Sequence, residues 1–507
     1  MLLEQCTLDA YETEFAGRHL IHGAVDYWAE RKPGDPAIVN ATRGTQLTWK
    51  ELSDRSKRAA GALRRLGFRK GEMLATSLPL TNEHIVLQYG CFRLGMIHVP
   101  LDLRLSAVEV ERSLAIVQAK RHVKSGEELA VLLDGEPLDT TDDVVATDGA
   151  QVIFTTGSTG RPKAALLTHR SITVQNLCLG AAFDFDGSRV LVNLPPSHVG
   201  GQAELLLTTL FWGGTAVTLE VFDAAKSLEA IERHKVKLLG QIPAMFLMEW
   251  RHSEYPQRDL SSLNTTVYGG QAVPRPFLEK LKAMAPAVGT GLGLTETSGF
   301  CTYVVGGVDE VEASIGFAAP IYPMSIREPM QSGGSAGAEV SIDSVGHVCF
   351  QGPQTFAGYV NDEAATAQAI SADGFLYTGD MGYVDEMGLH FSGRAKWVIK
   401  PAGYQVFPGD VENFISQLSD KVASVGVIGI SHPIWVEAIV AFVEKRPGVE
   451  LTEAELRRHA RGMTSYMRPL HYVILEPGQM PLNRVAKIDA LKLKETAEAK
   501  FAESKMG

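Results

Sequence analysis

The sequence predicts an α/β protein with a large N-terminal domain and a small α+β C-terminal domain. Apolar segments typical of strands alternate with amphipathic segments typical of helices through roughly residue 300, a pattern of βαβ units with mostly parallel, doubly covered sheets. From about residue 300 to 392, glycines, turns and short β segments dominate instead. The chain of 507 residues also exceeds one ordinary core, which stops growing near about 250–300 residues.

The first predicted elements establish the alternation. A helix is predicted over residues 51–66, where Leu52, Ala59 and Leu63 repeat at helical spacing before Gly67. A strand over 73–78, a helix over 82–94 and a strand over 96–101 follow.

The C-terminal part reads differently. Residues 346–352 are typical of the β-rich subdomain. A domain boundary is predicted near Gly393. It divides the chain into an N-terminal domain of residues 1–393 and a mobile C-terminal domain of residues 394–507. In the second domain, strands are predicted over 425–430 and 438–443, and a helix over 453–461.

Composition excludes some classes of function. The net charge of −11 argues against a nucleic-acid partner and against an anionic membrane surface. No apolar run approaches the roughly 18–20 residues that span a bilayer, and the N-terminus does not resemble a secretory signal. The five cysteines form no CxxC pair, which favours a reducing cytoplasm.

A polar, glycine-rich loop follows the strand predicted over residues 151–154. Glycines allow backbone N–H groups to approach an anion, while hydroxyls and a lysine add donors and charge. The spacing is not that of the ATPase P-loop, and composition alone leaves a surface turn as the alternative. The predicted phosphate-binding residues are Thr155, Thr156, Gly157, Ser158, Thr159, Gly160 and Lys163.

The loop, continued to Thr168 and His169, resembles that of adenylate-forming enzymes: acyl- and aryl-CoA ligases, luciferases and peptide-synthetase adenylation domains. Only the final glycine of the family pattern is replaced, by Ala164. A second resemblance lies at 291–297, where the family's glutamate, here Glu296, holds Mg²⁺ against the triphosphate. An aromatic residue that stacks on adenine is usual where this chain has Leu292.

The same resemblance assigns further nucleotide contacts. Asp380 accepts hydrogen bonds from both ribose hydroxyls, a role suited to a carboxylate. The remaining predicted contacts with the nucleotide are Gly269, Gly270, Gln271, Gly291, Gly293, Leu294 and Thr295.

The segment 393–406 is most similar to 4-coumarate:CoA ligases and their relatives. The resemblance implies that Arg394 contacts the ribose, that Lys396 is the hinge, and that Lys400 and Gln405 reach the acyl-adenylate. Gly403 leaves room for the pantetheine arm, which any Cβ would obstruct.

Lys487 matches the lysine that bridges the carboxylate and the α-phosphate during adenylation, although Ala486 replaces the usual glycine. His198 lies where the family has an aromatic residue or histidine at the acid pocket, and peptide synthetases have an aspartate that pairs with the substrate amine. An α-amino acid substrate is therefore not expected. The other residues predicted to line this mainly apolar pocket are Val199, Gly200, Gly201, Phe246, Gly270, Leu292 and Leu294.

Together these motifs predict an ATP-dependent carboxylate–CoA ligase that uses ATP, Mg²⁺ and coenzyme A. A bulky aryl or alicyclic acid is favoured as substrate, and the protein is expected to be a monomer or homodimer. Two alternatives remain open: an adenylating enzyme that passes its acyl group to a carrier protein or a separate transferase, and a non-catalytic binder of nucleotide or acyl-adenylate.

Overall fold

The computed structural model describes residues 1–139, 143–156, 162–482 and 488–501. Within these ranges the helices are α1 Leu8–Glu14, α2 Ile21–Arg31, α3 Trp49–Arg65, α4 Asn82–Arg93, α5 Ala107–Val117, α6 Gly126–Ala130, α7 His169–Phe183, α8 Thr208–Phe211, α9 Ala224–His234, α10 Pro243–Arg251, α11 Arg275–Met284, α12 Val308–Ala313, α13 Glu363–Ala369, α14 Pro408–Ser416, α15 Glu453–Ala460 and α16 Ala490–Lys500.

The strands in the same ranges are β1 Pro36–Asn40, β2 Thr45–Thr48, β3 Met73–Thr76, β4 Ile97–Pro100, β5 Arg121–Val123, β6 Gly149–Thr156, β7 Pro162–Thr168, β8 Arg189–Val192, β9 Thr215–Thr218, β10 Leu238–Gln241, β11 Thr265–Tyr268, β12 Ala287–Thr290, β13 Gly293–Leu294, β14 Gly299–Phe300, β15 Val304–Gly306, β16 Met324–Arg327, β17 Gly346–Phe350, β18 Gly358–Tyr359, β19 Leu376–Asp385, β20 Gly388–Arg394, β21 Val422–His432, β22 Val436–Lys445 and β23 His471–Leu475.

Two large sheets form the N-terminal part of the molecule. In the described residues one has the order β15-β12-β11-β10-β8-β9-β1-β2 and the other has the order β18-β7-β6-β4-β3-β5. Their inner strands pair in parallel, as the alternation of strands and helices predicted, whereas β2, β15, β7 and β18 add antiparallel edges. Every residue of strands such as β4 and β9 is buried, as expected for a parallel sheet that is covered on both faces.

Local sequence accounts for the element boundaries. The predicted helix at 51–66 begins two residues earlier, because Thr48 and Glu51 form a capping box: Thr48 Oγ1 accepts from the Glu51 N–H at 3.2 Å, and Glu51 Oε2 accepts from the Thr48 N–H at 2.8 Å. Its apolar stripe, including Leu52 and Leu63, is fully buried. The helix and strands predicted at 73–101 correspond to β3, α4 and β4.

The glycine-rich stretch after β15 folds into the antiparallel sheet β16-β17-β19-β20. Further along, β21 and β22 pair antiparallel and β23 joins β22 in parallel, with α14 and α16 packed against β21. These elements have an apolar cluster of their own, which includes Ile399, Val411 and Val427. The predicted β-rich subdomain and α+β tail are both confirmed as features of the fold.

A π-helix over Gly200–Leu207 interrupts the alternation between β8 and α8. The Glu204 N–H donates to the Val199 carbonyl at 3.1 Å, the wider i→i+5 spacing that defines a π-turn. Such turns frequently mark functional sites. This one begins directly after His198, the predicted pocket residue.

Candidate active site

The phosphate-loop prediction falls on the hairpin of β6 and β7. Thr155 pairs with Lys163 across the two strands, and Lys163 is half-buried. Its Nζ lies 4.7 Å from the centroid of the Tyr359 ring. The predicted contacts Gly157, Ser158, Thr159 and Gly160 lie outside the described residues.

A second hairpin, β13–β14, presents Glu296. Thr297 Oγ1 accepts from the Leu294 N–H at 3.1 Å and closes the short 3-10 turn Thr295–Thr297 at its tip. Tyr359 OH donates to Glu296 Oε1 at 2.6 Å, and the Phe356 N–H donates to the Glu296 carbonyl at 3.0 Å. The glutamate is thus fixed at the end of the hairpin, with its carboxylate toward Tyr359.

Tyr359 joins the two hairpins. It lies on β18, which pairs with β7 so that Tyr359 faces Ala165, two residues from Lys163. Burial, and then the Glu296 carboxylate, raise the pKa of Tyr359, which keeps its hydroxyl protonated as a donor. Tyr359 could not be identified from the sequence, because a Gly-Tyr pair in a glycine-rich stretch has no distinctive pattern. Only the strand pairing of β18 identifies its role.

Asp380 and Arg394 form an ion pair across β19 and β20. Their positions are directly opposite in the ladder, and Arg394 Nε lies 2.7 Å from Asp380 Oδ1. The aspartate side chain is 1% exposed and the arginine 47% exposed, so the pair has a buried anionic end and a solvent-facing cationic end. The predicted ribose contacts are therefore adjacent.

The cationic side chains of Arg394, Lys396 and Lys163 lie near one another. The pKa of Lys396 is lowered by burial and then by the charges of Arg394 and Lys163. Like charges held this close favour an anion among them. The cluster suits the phosphates of a nucleotide, with Glu296 and Asp380 beside it.

Lys400 and Gln405 stand on one exposed loop of the C-terminal part. Ile399 and Val406 form an isolated bridge that closes this loop, and both predicted residues at its ends are exposed. The Lys400 N–H donates to Glu437 Oε2 at 2.6 Å. Gly403 lies in the same loop, whereas Lys487, the predicted adenylation lysine, lies outside the described residues.

Several residues predicted to line the acid pocket lie at or near the start of the π-helix. His198 is exposed, and its Nδ1 accepts from the Gly200 N–H at 3.0 Å, while Val199 is buried. Val199, Leu292 and Leu294 belong to one apolar cluster.

The structure also describes the remaining predicted contacts. Gly269, Gly270 and Gln271 follow β11, with Gly270 and Gln271 exposed. Phe246 is fully buried in a different apolar cluster, where its ring lies 6.1 Å from that of Phe277. The structure does not bring Phe246 together with Val199 and the two leucines.

The buried carboxyl group of Glu204, which belongs to none of the sequence motifs, lies beside His198 and Gly200. Glu204 lies on the π-helix, where burial raises the pKa of its carboxyl to about 7, an effect that a hydrogen bond from the Phe300 N–H partly offsets. The available signal was an acidic residue inside the apolar segment 203–207. An acid in such a segment is rare unless a partner or a ligand needs it.

Comparison with known proteins identifies the class. The AMP-binding enzyme family matches residues 25–360, and the AMP-binding enzyme C-terminal domain matches residues 410–487. The chain belongs to the AMP-binding enzyme family. It is an adenylate-forming enzyme of the acyl-CoA ligase class, and the predicted family, fold class and enzyme class are confirmed.

Named relatives span most of the chain. Feruloyl-CoA synthase of Amycolatopsis sp. is 31% identical over 452 residues, covering 85% of this chain and 90% of the relative. The 3-[(3aS,4S,7aS)-7a-methyl-1,5-dioxo-octahydro-1H-inden-4-yl]propanoyl:CoA ligase of Mycobacterium tuberculosis is 29% identical, covering 94% and 98%. Among solved structures, ATP-bound MatB of Rhodopseudomonas palustris superposes with a TM-score of 0.84 at 22% identity, covering 96% and 100%.

None of the helices in the part of the chain that the structure describes has the length and apolarity needed to cross a membrane.

Proposed function

We propose that this protein activates an aryl or alicyclic carboxylic acid as its acyl adenylate and transfers the acyl group to the thiol of CoA. The observation that carries the proposal is the convergence of Lys163, Glu296 and Asp380, from three different sheets, next to the apolar residues that follow His198. The first two are linked through Tyr359, and Arg394 connects Asp380 to the same cluster.

In the first half-reaction, a carboxylate oxygen of the acid attacks the α-phosphorus of ATP and the bond to the pyrophosphate oxygen breaks. Lys163, together with the hydroxyls of the phosphate loop, offsets the negative charge on the departing phosphates, and Lys487 offsets charge at the α-phosphate. Asp380 accepts hydrogen bonds from the ribose hydroxyls beside Arg394. Catalysis in this step is mainly positioning and charge stabilisation.

Glu296 suits a magnesium ion. Mg²⁺ is usually bound by one or two carboxylates together with substrate phosphates, and the Glu296 carboxylate lies beside the cations proposed to hold those phosphates. When bound, the ion would offset charge on the triphosphate, while Tyr359 orients the carboxylate that holds it.

In the second half-reaction, the CoA sulfur attacks the acyl carbonyl carbon and AMP leaves. We propose that residues 394–507 form a domain that rotates about Lys396 and exchanges Lys487 for the loop of Lys400, Gly403 and Gln405. The position of Lys396 directly after β20, and the exposure of that loop, support this assignment. One site would then perform two reactions by a hinge motion.

We propose the class of acid substrate from the apolar residues near His198 and from the names of two relatives. Val199, Leu292 and Leu294 provide apolar walls beside the buried Gly200. Feruloyl-CoA synthase and an indanyl-propanoyl:CoA ligase are among the named relatives, and both names specify ring-containing acyl groups. We expect the protein to act in the cytoplasm, as a monomer or homodimer.

A carrier protein is the second candidate acceptor. The fatty acid–[acyl-carrier-protein] ligase ScoC of Streptomyces coeruleorubidus is 28% identical, covering 92% of this chain and 95% of the relative. The same adenylation chemistry would then deliver the acyl group to a protein-bound thiol.

Acid-dependent exchange between ATP and labelled pyrophosphate, without CoA, tests the first step. Pools of aryl, alicyclic, medium-chain and long-chain acids are compared, and we expect exchange with the aryl or alicyclic pool. Addition of CoA, or of a phosphopantetheinylated carrier protein, then identifies the acceptor by thioester formation. Nucleotide binding without exchange in any pool would contradict the proposal and favour a non-catalytic binder.

A further inference from the structure

The turn between β21 and β22 holds a valine in a backbone conformation that valine rarely adopts. Val436 has a φ angle of +66°, in the left-handed region that is unfavourable for a β-branched side chain. The Glu437 N–H donates to the Trp435 carbonyl at 2.7 Å, so the three residues form a γ-turn of the rare and strained form with positive φ. Such strain persists only where the surrounding contacts fix the backbone, and it is concentrated at functional sites.

A histidine fixes the beginning of this turn. His432 Nδ1 accepts from the Ile434 N–H and from the Trp435 N–H, both at 3.2 Å. His432 and Val436 are also partners in the antiparallel ladder of β21 and β22. The side chains of Ile434, Trp435 and Val436 are all exposed. Hydrogen bonds, rather than burial of apolar side chains, therefore hold the turn in its strained conformation.

The same turn holds the backbone of the loop that contains Gly403. The Ala402 N–H donates to the Trp435 carbonyl at 2.7 Å, and the Lys400 N–H donates to Glu437 Oε2 at 2.6 Å. Ala402 has a φ angle of +49°, so the loop is itself in a conformation that outside contacts must maintain. One carbonyl and one carboxylate of the turn therefore hold two backbone N–H groups of the loop.

We propose that the turn at 432–437 positions the loop at 400–403 for transfer of the acyl group to the thiol, with Glu437 as the main positioning residue. Its carboxylate contacts the backbone of the loop and acts through Lys400 and Gly403, which are assigned above to this half-reaction. A displacement of about 1 Å at a reacting centre lowers a rate by about 100-fold. This inference rests on the proposed function, because it concerns the second step of that reaction.

Hydrogen–deuterium exchange on the full chain tests the contact without any activity. Peptides that contain Lys400 and Ala402 are compared in the wild type, in Glu437→Ala and in Glu498→Gln, an exposed control on α16. We expect faster exchange of these amides in Glu437→Ala alone, because the Lys400 N–H loses its acceptor and the loop loses one of its two anchors. Equal exchange in all three proteins would overturn the positioning contact.

Separate assays of the two half-reactions test what the contact does. We expect Glu437→Ala to lower kcat for thioester formation from a supplied acyl-adenylate and CoA by about 10- to 100-fold. Acid-dependent pyrophosphate exchange should stay at the wild-type rate. Glu437→Gln keeps an acceptor for the Lys400 N–H and should restore part of the transfer rate, which a merely bulky side chain would not do. Loss of both half-reactions, or of neither, would contradict the positioning role.

Two substitutions at Val436 distinguish the backbone conformation from the side chain. Glycine adopts positive φ without strain, whereas proline is fixed at about −65°. Val436→Gly should retain thioester formation and raise Tm, and Val436→Pro should lose thioester formation while pyrophosphate exchange continues. Gln118→Gly, at an exposed residue with a φ angle of +49° on the N-terminal part, is the control for relief of strain alone. Transfer that is lost in Val436→Gly, or kept in Val436→Pro, would show that the conformation of the turn is not what matters.

Failure of this assignment is distinguishable from failure of the proposed function. Silence in pyrophosphate exchange with every acid pool would overturn the proposed function and the role assigned here together. Exchange with an acid, followed by thioester formation at the wild-type rate in Glu437→Ala, would overturn the positioning role alone. The Glu437 variants also keep the test decisive if Val436→Pro does not fold.

Discussion

The phenolic hydroxyl of Tyr359 donates a 2.6 Å hydrogen bond to Oε1 of Glu296, although 63 positions separate the two residues in the chain. The bond links the edge strand β18 to the tip of the β13–β14 hairpin. It also places the Tyr359 ring under Lys163. One side chain therefore orients both the proposed magnesium ligand and a proposed phosphate-binding lysine.

Replacement of Tyr359 by phenylalanine should weaken the response to magnesium. The ring remains under Lys163, but the Glu296 carboxylate loses the hydrogen bond that orients it, an interaction of about 1.5–3 kcal/mol for a charged acceptor. We expect kcat/KM for MgATP in pyrophosphate exchange to fall roughly tenfold, with saturation at higher Mg²⁺ concentration. Tyr383→Phe is the control, since that ring stacks on His390 within β19 and β20. Equal losses in both variants would rule out the orienting role.

Asp380→Asn should reduce discrimination between nucleotide sugars. The substitution removes the buried charge opposite Arg394 and half of the carboxylate's acceptor capacity. We expect KM for ATP to rise at least tenfold, and the wild-type preference for ATP over 2′-deoxy-ATP and 3′-deoxy-ATP to shrink. If the variant keeps the full preference, Asp380 does not contact the ribose.

Lys487→Ala and Gly403→Leu should separate the two half-reactions. Without Lys487, adenylation fails but a supplied acyl-adenylate is still transferred to CoA, because the second step does not use that lysine. With a leucine at 403, exchange continues while thioester formation falls, because the side chain obstructs the thiol. Both steps are measured for each variant. Parallel losses of adenylation and thioester formation in either variant would contradict the proposal that Lys487 and Gly403 act in different half-reactions.

Gly291→Ala should destabilise the hairpin that presents Glu296. A Cβ at residue 291 would lie 1.9 Å from the Thr302 carbonyl oxygen, which is backbone and cannot swing away. Overpacking of this kind costs about 1–3 kcal/mol, so we expect a fall of several degrees in Tm together with weaker exchange. Gly34→Ala is the matched control, because a Cβ there has no atom within 4 Å. A Tm equal to that of the control would show that the hairpin accommodates the methyl group.

Glu249→Gln should flatten the dependence of stability on pH. Glu249 is fully buried with Ser227 and Gln241, and burial raises the pKa of its carboxyl to about 7. Between its unfolded pKa of about 4.3 and the folded value, the folded chain binds more protons at this position than the unfolded chain. The free energy of unfolding therefore falls as pH rises through this window, by about 3 kcal/mol in order of magnitude.

Denaturant unfolding at pH 5 and pH 8 measures this effect. We expect a smaller decrease between the two values for Glu249→Gln than for the wild type or for the exposed variant Glu111→Gln. Identical decreases in all three proteins would mean that Glu249 is ionised in the folded state.

The elements that could be predicted are those with a complete local sequence pattern. Helix α3 has a capping box, an apolar stripe and a terminal glycine within one segment, so its predicted limits differ from the observed ones by two residues at the start and one at the end. Strand β6 and the ion-paired residues Asp380 and Arg394 belong to ordered motifs, and the structure places the latter two opposite each other.

Tyr359 and Glu204 could not be selected in this way. Tyr359 acquires its role only when β18 pairs with β7, across nearly 200 residues of chain. Glu204 lies beside His198 only because a π-helix follows that residue. Long-range packing of this kind leaves no local periodicity, and Phe246 shows the converse, since its apolar character suited either a pocket wall or a core.

All five cysteines of the chain are free and buried. Burial raises the pKa of Cys91 and of Cys349 to about 12, so neither forms appreciable thiolate near neutral pH. A maleimide dye would consequently not react with the native thiols but would react with a single cysteine introduced on an exposed surface. One such label on the N-terminal part and a second beyond Lys396 would allow fluorescence energy transfer to follow the proposed rotation in real time, without first removing any natural cysteine.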